Sequence, residues 1–381
     1  MFRSVLWIAV CVMSLTGCAS APVAPSTADV PWQDQAFDYR PDRVDVTRQD
    51  LFRLDPELQQ TIRDADVLRM GPTHRLRFLT TLVFGPDLRR FGYLAGHSTI
   101  ASETWKRQRG DCLSLTVLTY AVARAMHLEA QMQEVRVPAL YDRRGQFDVV
   151  NQHVNVLFPR VHRDKLEDAT ARDVVIDFEP EFASAAKGSP LTEWAILARY
   201  HNNVATEHFA ASRHSLAYAH YKAAIQADPT HAASYGNLAV LYRSAGLVRE
   251  SEQMLRHAVA LADPGDVPLR ALYQLLAEQG RDAEAQIYAR QLQARREVDP
   301  YYWIGLGAQH LQAGENRRAI SALEHARTMA TGFPEVHRYL ALAYWRAGEA
   351  GRANEELTAL ASLDAGPGAS KLRKKFKALQ P

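Results

Sequence analysis

The sequence predicts an α+β domain, of helices plus a small antiparallel sheet, followed by an all-α solenoid. Two observations predict this fold class. Gly246, Gly280, Gly314 and Gly348 recur at a constant 34-residue spacing through the C-terminal half. Ahead of them, residues 35–190 lack that period and pass from helical patterns into short segments of period two. A third observation says where to look for chemistry: only one cysteine, Cys112, remains beyond residue 18. A length of 381 residues suits two or three domains.

The chain starts Met1-Phe2-Arg3, continues with an apolar run over 5–13, and reaches Leu15-Thr16-Gly17-Cys18. A basic start, a short apolar core and small residues before a break predict a signal peptide over 1–17. The run falls short of the roughly 20 apolar residues that a bilayer span needs. Leu15-Thr16-Gly17-Cys18 resembles the lipobox of bacterial lipoproteins. That resemblance implies lipidation of Cys18, loss of Cys11 with the leader, and membrane association through the acyl chains. It also implies a cell-envelope lipoprotein that faces the periplasm. Ala19, where Asp would retain the protein, favours the outer membrane over the inner. A plain cleaved leader is the alternative. Residues 18–34 are small and proline-rich, and predict a lipidated tether with no core of its own.

Within 35–190, Asp55-Pro56-Glu57 opens a helix that runs through 65, and Gly71-Pro72-Thr73-His74 opens another that runs to 84. Ser98 or Thr99 caps a third, which ends at Arg107. Residues 113–126 form a fourth, with apolar side chains at 113, 117, 118, 121, 122 and 125. The period then changes to two. Residues 131–137, 152–158 and 174–179 read as strands, 141–145 reads as a polar connection, and Pro180 ends the last strand.

From 191 to 367 the 34-residue period holds at further positions. Ala217, Ala285, Ala319 and Ala353 are in register, with Ser251 in the second slot. Leu238, Leu272, Leu306 and Leu340 are in register too, with Val204 ahead of them. A small residue after the leucine and a glycine between two helices make this the tetratricopeptide (TPR) signature. The units in phase are 198–231, 232–265, 266–299, 300–333 and 334–367. The first carries Ser212 at the glycine position, and the third carries Tyr273 at the usually small one. A solenoid implies a groove for a protein or peptide partner. Tyr242, Trp303, His310, Tyr344 and Trp345 fall on first helices, where they pack or line that groove. Residues 368–381 read as a basic tail or a capping helix, with Leu372, Phe376 and Leu379 on one face. Its five basic residues suit anionic lipid head groups.

Net charge is +2, and +1 without residues 1–17, which hold one arginine and no acid. No basic face interleaved with aromatics is present, so no nucleic-acid partner is expected. A glycine-rich phosphate loop is absent, and the histidine spacings make no metal set. No cofactor and no metal are expected. His97, His127 and His162 read as surface or packing residues.

Cys112 lies in Arg109-Gly110-Asp111-Cys112-Leu113-Ser114-Leu115, where a loop turns into a helix. Structural cysteines of exported proteins come in pairs, so a single thiol points to chemistry. A nucleophilic thiol must be largely thiolate, and a helix N-terminus and a nearby imidazole lower its pKa. A carboxylate or amide must hold the imidazole in the right tautomer. Asp111 suits the N-cap. His153 on one strand and Asp177 on the next supply the imidazole and carboxylate if those strands are neighbours; Asp168 and Asp173 are weaker substitutes. Asn155 faces the same side as His153, and orders the site or lines the cleft. The Cys112 N–H is the default oxyanion donor, with Gln108 or Gln133 as side-chain donors. Trp105 walls the cleft or packs under the domain. The plain readings are a buried structural thiol, a satisfied strand histidine and a turn-capping aspartate.

Gly110-Asp111-Cys112 with its apolar helix, Gln152-His153-Val154-Asn155-Val156, and Val175-Ile176-Asp177-Phe178-Glu179-Pro180 together resemble the motif blocks of the transglutaminase-like superfamily, a permuted relative of the papain fold. The resemblance spans residues 95–182, with 41–94 as a variable helical prefix. The chain is also similar to bacterial lipoproteins that join such a domain to TPRs. The resemblance implies a papain-like domain in which Cys112 is the nucleophile, His153 the general acid/base and Asp177 the orienting residue. The implied activity is that of a thiol peptidase or amidase on a peptide or isopeptide bond, with the TPRs recruiting substrate or partner. A protein-crosslinking transglutaminase is one alternative. A non-enzymatic TPR scaffold with a degenerate papain-like binding domain is the other.

Overall fold

The computed structural model describes residues 30–85, 91–94, 96–135, 141–144, 147–150, 153–161, 172–179, 188–261, 265–329, 333–363 and 368–378. The leader over 1–17, Cys18, the tether up to residue 29, His162, Asp168 and Leu379 lie outside the described residues. Among those described, no helix is long and apolar enough to cross a membrane.

The first part of the chain comprises α1 (Arg48–Leu51), α2 (Pro56–Asp64), α3 (Pro72–Phe84), β1 (Gly92–Tyr93), α4 (Ala101–Arg107), β2 (Arg109–Gly110), α5 (Cys112–Ala125), β3 (Gln131–Val135), β4 (Tyr141–Arg144), β5 (Phe147–Val150), β6 (His153–Val161), β7 (Arg172–Ile176) and β8 (Ser189–Leu191). Proline in the first turn starts α2 and α3, and the Asp55 carboxylate also caps α2 through the Glu57 N–H. The cap of α4 differs from expectation. Ile100 holds the N-cap position, and Ser98 and Thr99 face α5 instead. The stretch over 141–145 also departs from a plain connection: its first four residues pair with β5 in a hairpin.

The main sheet has the order β7-β6-β3-β8 and is antiparallel throughout. Val135 lies opposite His153 and Gln133 opposite Asn155, while Val156 lies opposite Ile176. The strands that carry His153 and lead to Asp177 are therefore neighbours, with Asp177 just past the end of β7. Helix α5 is buried from Cys112 through Thr119. Its mixed apolar and small polar composition suits a helix enclosed on all sides. Thr116 ties it to the sheet by donating to the Val154 carbonyl at 3.0 Å.

Five antiparallel helix pairs follow: α6 (Glu193–Ala210) with α7 (His214–Ala227), α8 (Ala232–Ser244) with α9 (Val248–Ala260), α10 (Asp266–Glu278) with α11 (Asp282–Glu297), α12 (Pro300–Gln312) with α13 (Asn316–Met329), and α14 (Pro334–Arg346) with α15 (Ala350–Leu363). These repeated pairs are consistent with a TPR solenoid. Gly246, Gly280, Gly314 and Gly348 turn four of them at φ between +71° and +83°. The first pair makes the same turn with Ser212 at φ +58°. A final helix, α16 (Gly368–Ala378), closes the array: Phe376 stacks on Trp345 at 5.0 Å between ring centroids, and Leu372 packs on the same core. This is the capping-helix form of the predicted C-terminus.

Helix α6 serves two cores. Ile196, Leu197 and Tyr200 belong to the core that α3, α5 and β6 also build, whereas Ala205 and Phe209 belong to the core shared with α7 and α8. The predicted tether is also shorter than 18–34. Residues 30–39 lie against α7 and α8 in a docked strap. Phe37 stacks on Tyr218 at 4.7 Å and on Tyr242 at 5.8 Å. Lys222 grips both Asp34 oxygens at 2.7 and 2.8 Å, beneath the rings of Trp32 and Tyr39. A proline-rich composition concealed these aromatic anchors.

Candidate thiol site

Asp111 builds the start of α5. Its Oδ1 accepts from the Ser114 N–H at 2.8 Å and the Ser114 hydroxyl at 2.6 Å, as an N-cap carboxylate should. Its Oδ2 accepts from the Ser98 hydroxyl at 2.5 Å. Ser98 is in turn held by Glu207, which accepts its N–H at 3.1 Å, and by the Asn203 amide at 3.0 Å. His97 donates from Nδ1 to Glu207 at 3.0 Å, and its Nε2 accepts from Arg107 at 2.7 Å. The N-cap of the cysteine helix is thus braced by α6, the first helix of the repeat array.

The fold brings Cys112, His153 and Asp177 together. His153 Nε2 lies 2.7 Å from Asp177 Oδ2, and both side chains are almost fully buried. Ligand atoms of Cys112, His153 and Glu179 all lie within 4.8 Å of one another. Asp177 is fixed on two further sides: Asn155 donates to Oδ2 at 2.9 Å, and the Glu179 N–H donates to Oδ1 at 2.9 Å. The Gln133 amide donates to Asn155 at 2.9 Å and accepts the Gly188 N–H at 3.1 Å. A hydrogen-bonded chain therefore runs from Gly188, just before β8, through Gln133 on β3, Asn155 on β6 and Asp177 to the imidazole.

The remaining predicted residues are placed as follows. Asn155 orders Asp177. Gln133 donates to Asn155 and accepts the Gly188 N–H. Gln108 stands exposed at the C-cap of α4 with φ +49°. Trp105 is half-buried, packed on the domain core near Phe91. Asp173 lies within β7, four residues before Asp177. The Cys112 N–H, at the first position of α5, points out of the helix end.

Two residues join the site without having been singled out. Glu179 approaches His153 Nδ1 at 3.9 Å. It stood in the Asp177-Phe178-Glu179 block, two residues past Asp177, so a signal was there. Tyr93 is brought in by pairing with Gly110 in a two-residue parallel bridge, and its hydroxyl hydrogen-bonds Glu179. Burial, the hydrogen bond to Glu179 and the charges of Glu179 and Asp111 push that phenol up. Nothing in its spacing marks Tyr93.

The electrostatics reverse one expectation. A lowered thiol pKa was anticipated from the helix N-terminus and the imidazole. In the structure, burial pushes the Cys112 thiol up, and the carboxylates of Asp111, Glu179 and Asp177 push it further. The Val154 N–H, which reaches the sulfur, acts in the other direction. Burial first, and then the three acidic groups, act against the helix end and favour the protonated thiol.

No family model matches the chain, and no curated protein matches it. Solved structures with partial likeness are TPR proteins. YrrB, described as a TPR protein with an unusual peptide-binding site, is 17% identical over 47% of this chain and 92% of its own, with a TM-score of 0.26. A MamA protein is 20% identical over 49% of this chain and 98% of its own, with a TM-score of 0.23. PilF of Pseudomonas aeruginosa is 18% identical over 45% of this chain and 79% of its own, with a TM-score of 0.26. At these scores the likeness carries no weight; the helix pairs with their glycine turns do.

Proposed function

We propose that the chain couples a repeat array that holds a protein or peptide to a thiol site that performs acyl transfer. The array is the interaction part, because stacked helix pairs expose an extended surface suited to peptides. One observation carries the chemical part: the buried 2.7 Å contact of His153 with Asp177, set beside Cys112 at a helix start. The three motif blocks that resemble the transglutaminase-like superfamily support the same roles.

A thiol at rest requires general-base chemistry. His153 takes the Cys112 proton as the sulfur attacks an amide carbonyl, and Asp177 stabilises the imidazolium. The S–C bond forms and the C–N bond breaks as His153 returns the proton to the leaving amine. Water then cleaves the thioester to a carboxylate and restores the thiol. Hydrolysis of a peptide or isopeptide bond is the favoured outcome, since water is always present; transfer to a second amine would be crosslinking. Lipidation at Cys18 and a periplasm-facing envelope location complete this proposal.

A second reading has its own observation. The raised Cys112 thiol also suits an inert buried residue in a scaffold protein. Iodoacetamide labelling of Cys112 separates the two readings. Acyl transfer requires that His153→Ala slow alkylation at pH 7 at least tenfold, and that an acyl-Cys112 adduct be trapped from a peptide mixture. If His153→Ala labels as fast as the parent protein and no adduct forms, the scaffold reading stands.

A further inference from the structure

We propose that Cys112, His153 and Glu179 form a binding site for a divalent transition metal of the zinc class, which switches the thiol site off. The binding itself stands apart from the acyl-transfer reading; only the switching rests on it. Sequence spacing hides the site, because residues 112, 153 and 179 come from α5, β6 and the turn after β7.

The donor set is sulfur, nitrogen and oxygen, the combination that suits zinc. Bonds of about 2.0–2.3 Å to a tetrahedral ion place its ligands roughly 3.3–3.8 Å apart. His153 Nδ1 and Glu179 Oε1 are already 3.9 Å apart, and all three ligand atoms lie within 4.8 Å. Closing on an ion thus needs movements of about an ångström or less.

The surroundings match a metal ligand's needs. An imidazole that binds a metal through one nitrogen gives the other to a carboxylate, which fixes its orientation. His153 presents Nδ1 to Glu179 while Nε2 engages Asp177, and Asp177 is itself held by Asn155 and the Glu179 N–H. The Tyr93 hydroxyl orients Glu179 from the rim. Two further carboxylates, Asp111 and Asp177, make the pocket electronegative in favour of a cation. Three protein ligands leave the fourth tetrahedral position to water. Binding displaces the thiol proton to solvent and forms a metal–thiolate bond. The nucleophile and the base are then both occupied.

Cobalt(II) titration of the reduced full chain tests this, because a cobalt–thiolate bond absorbs in the near ultraviolet. One equivalent should give that band, zinc should remove it, and zinc should protect Cys112 from iodoacetamide. Cys112→Ala should abolish the band, Glu179→Gln should weaken binding at least tenfold, and Asp177→Asn should weaken it about 10- to 100-fold. Far-UV circular dichroism checks that each variant folds; Glu179→Asp replaces Glu179→Gln if the latter does not. Absence of the band, its survival in Cys112→Ala, or unchanged affinity in both Glu179 variants overturns the proposal. Loss of metal binding with acyl-Cys112 still trapped refutes the metal site alone. Zinc binding with no adduct refutes acyl transfer alone.

Discussion

Acid should loosen the joint between α6 and α7. His201 and His220 face each other there with their Nδ1 atoms 3.1 Å apart, both almost fully buried. Burial holds His201 down to about 4 and His220 to about 3, and His220 is lowered further by His201 and His208 against a small opposing effect of Asp45. The sign follows from proton counts. Both folded values lie below the ordinary 6.5, so the unfolded chain binds more protons across the interval from 6.5 down to about 4 and 3. The stability is fully present above 6.5 and drains as pH falls below it. Each ring costs about 1.36 kcal/mol per pH unit in that window, so moving from pH 7.5 to 5 removes about 2 kcal/mol per ring and about 4 kcal/mol for the pair. His231, buried and also held well below the usual range, adds in the same direction. The assay is urea unfolding at pH 7.5, 6.5 and 5, comparing the parent chain with His220→Gln. The variant should lose about 2 kcal/mol less than the parent over that range. If the parent unfolds with the same free energy at pH 7.5 and 5, or the variant follows the parent's slope, the linkage argument is wrong.

Other substitutions have defined outcomes. Gly307→Ala would place a Cβ 2.4 Å from Leu323 Cγ between α12 and α13, and should lower stability by about 1–3 kcal/mol in thermal melts. Ser212→Gly relieves a left-handed residue at φ +58° and should raise stability by about 1 kcal/mol by the same measurement. Phe37→Ala empties the stack on Tyr218 and Tyr242, should cost about 3 kcal/mol, and should expose residues 30–40 to limited proteolysis.

The repeat array was legible because its signal is periodic and its turns demand one residue type. Even Ser212, which breaks that rule, falls at the predicted turn with the required backbone sign. Cys112, His153 and Asp177 were legible through residue type and their order at a helix start and along successive period-two segments, although Asp177 falls just past the end of β7. Edge elements were not. Strand β8 is only Ser189-Pro190-Leu191, too short to show alternation, and it pairs through the backbone. Ser98 looked like a helix cap, yet its hydroxyl serves Asp111 thirteen residues away. The upward push on the thiol comes from burial and then from three carboxylates, which one-dimensional spacing does not report. Tyr93 and the strap aromatics are tertiary partners without local pattern.

The double service of α6 bears on how this chain can be divided. Its N-terminal half supplies Ile196, Leu197 and Tyr200 to the core around α5, and Glu207 and Asn203 brace the N-cap beneath Cys112. A fragment cut at the apparent boundary near residue 191 would lack one wall of its own core and the brace of the helix start that carries Cys112. The repeats and the thiol site therefore form a single inheritance: neither can be transplanted, swapped or lost without redesigning one shared helix.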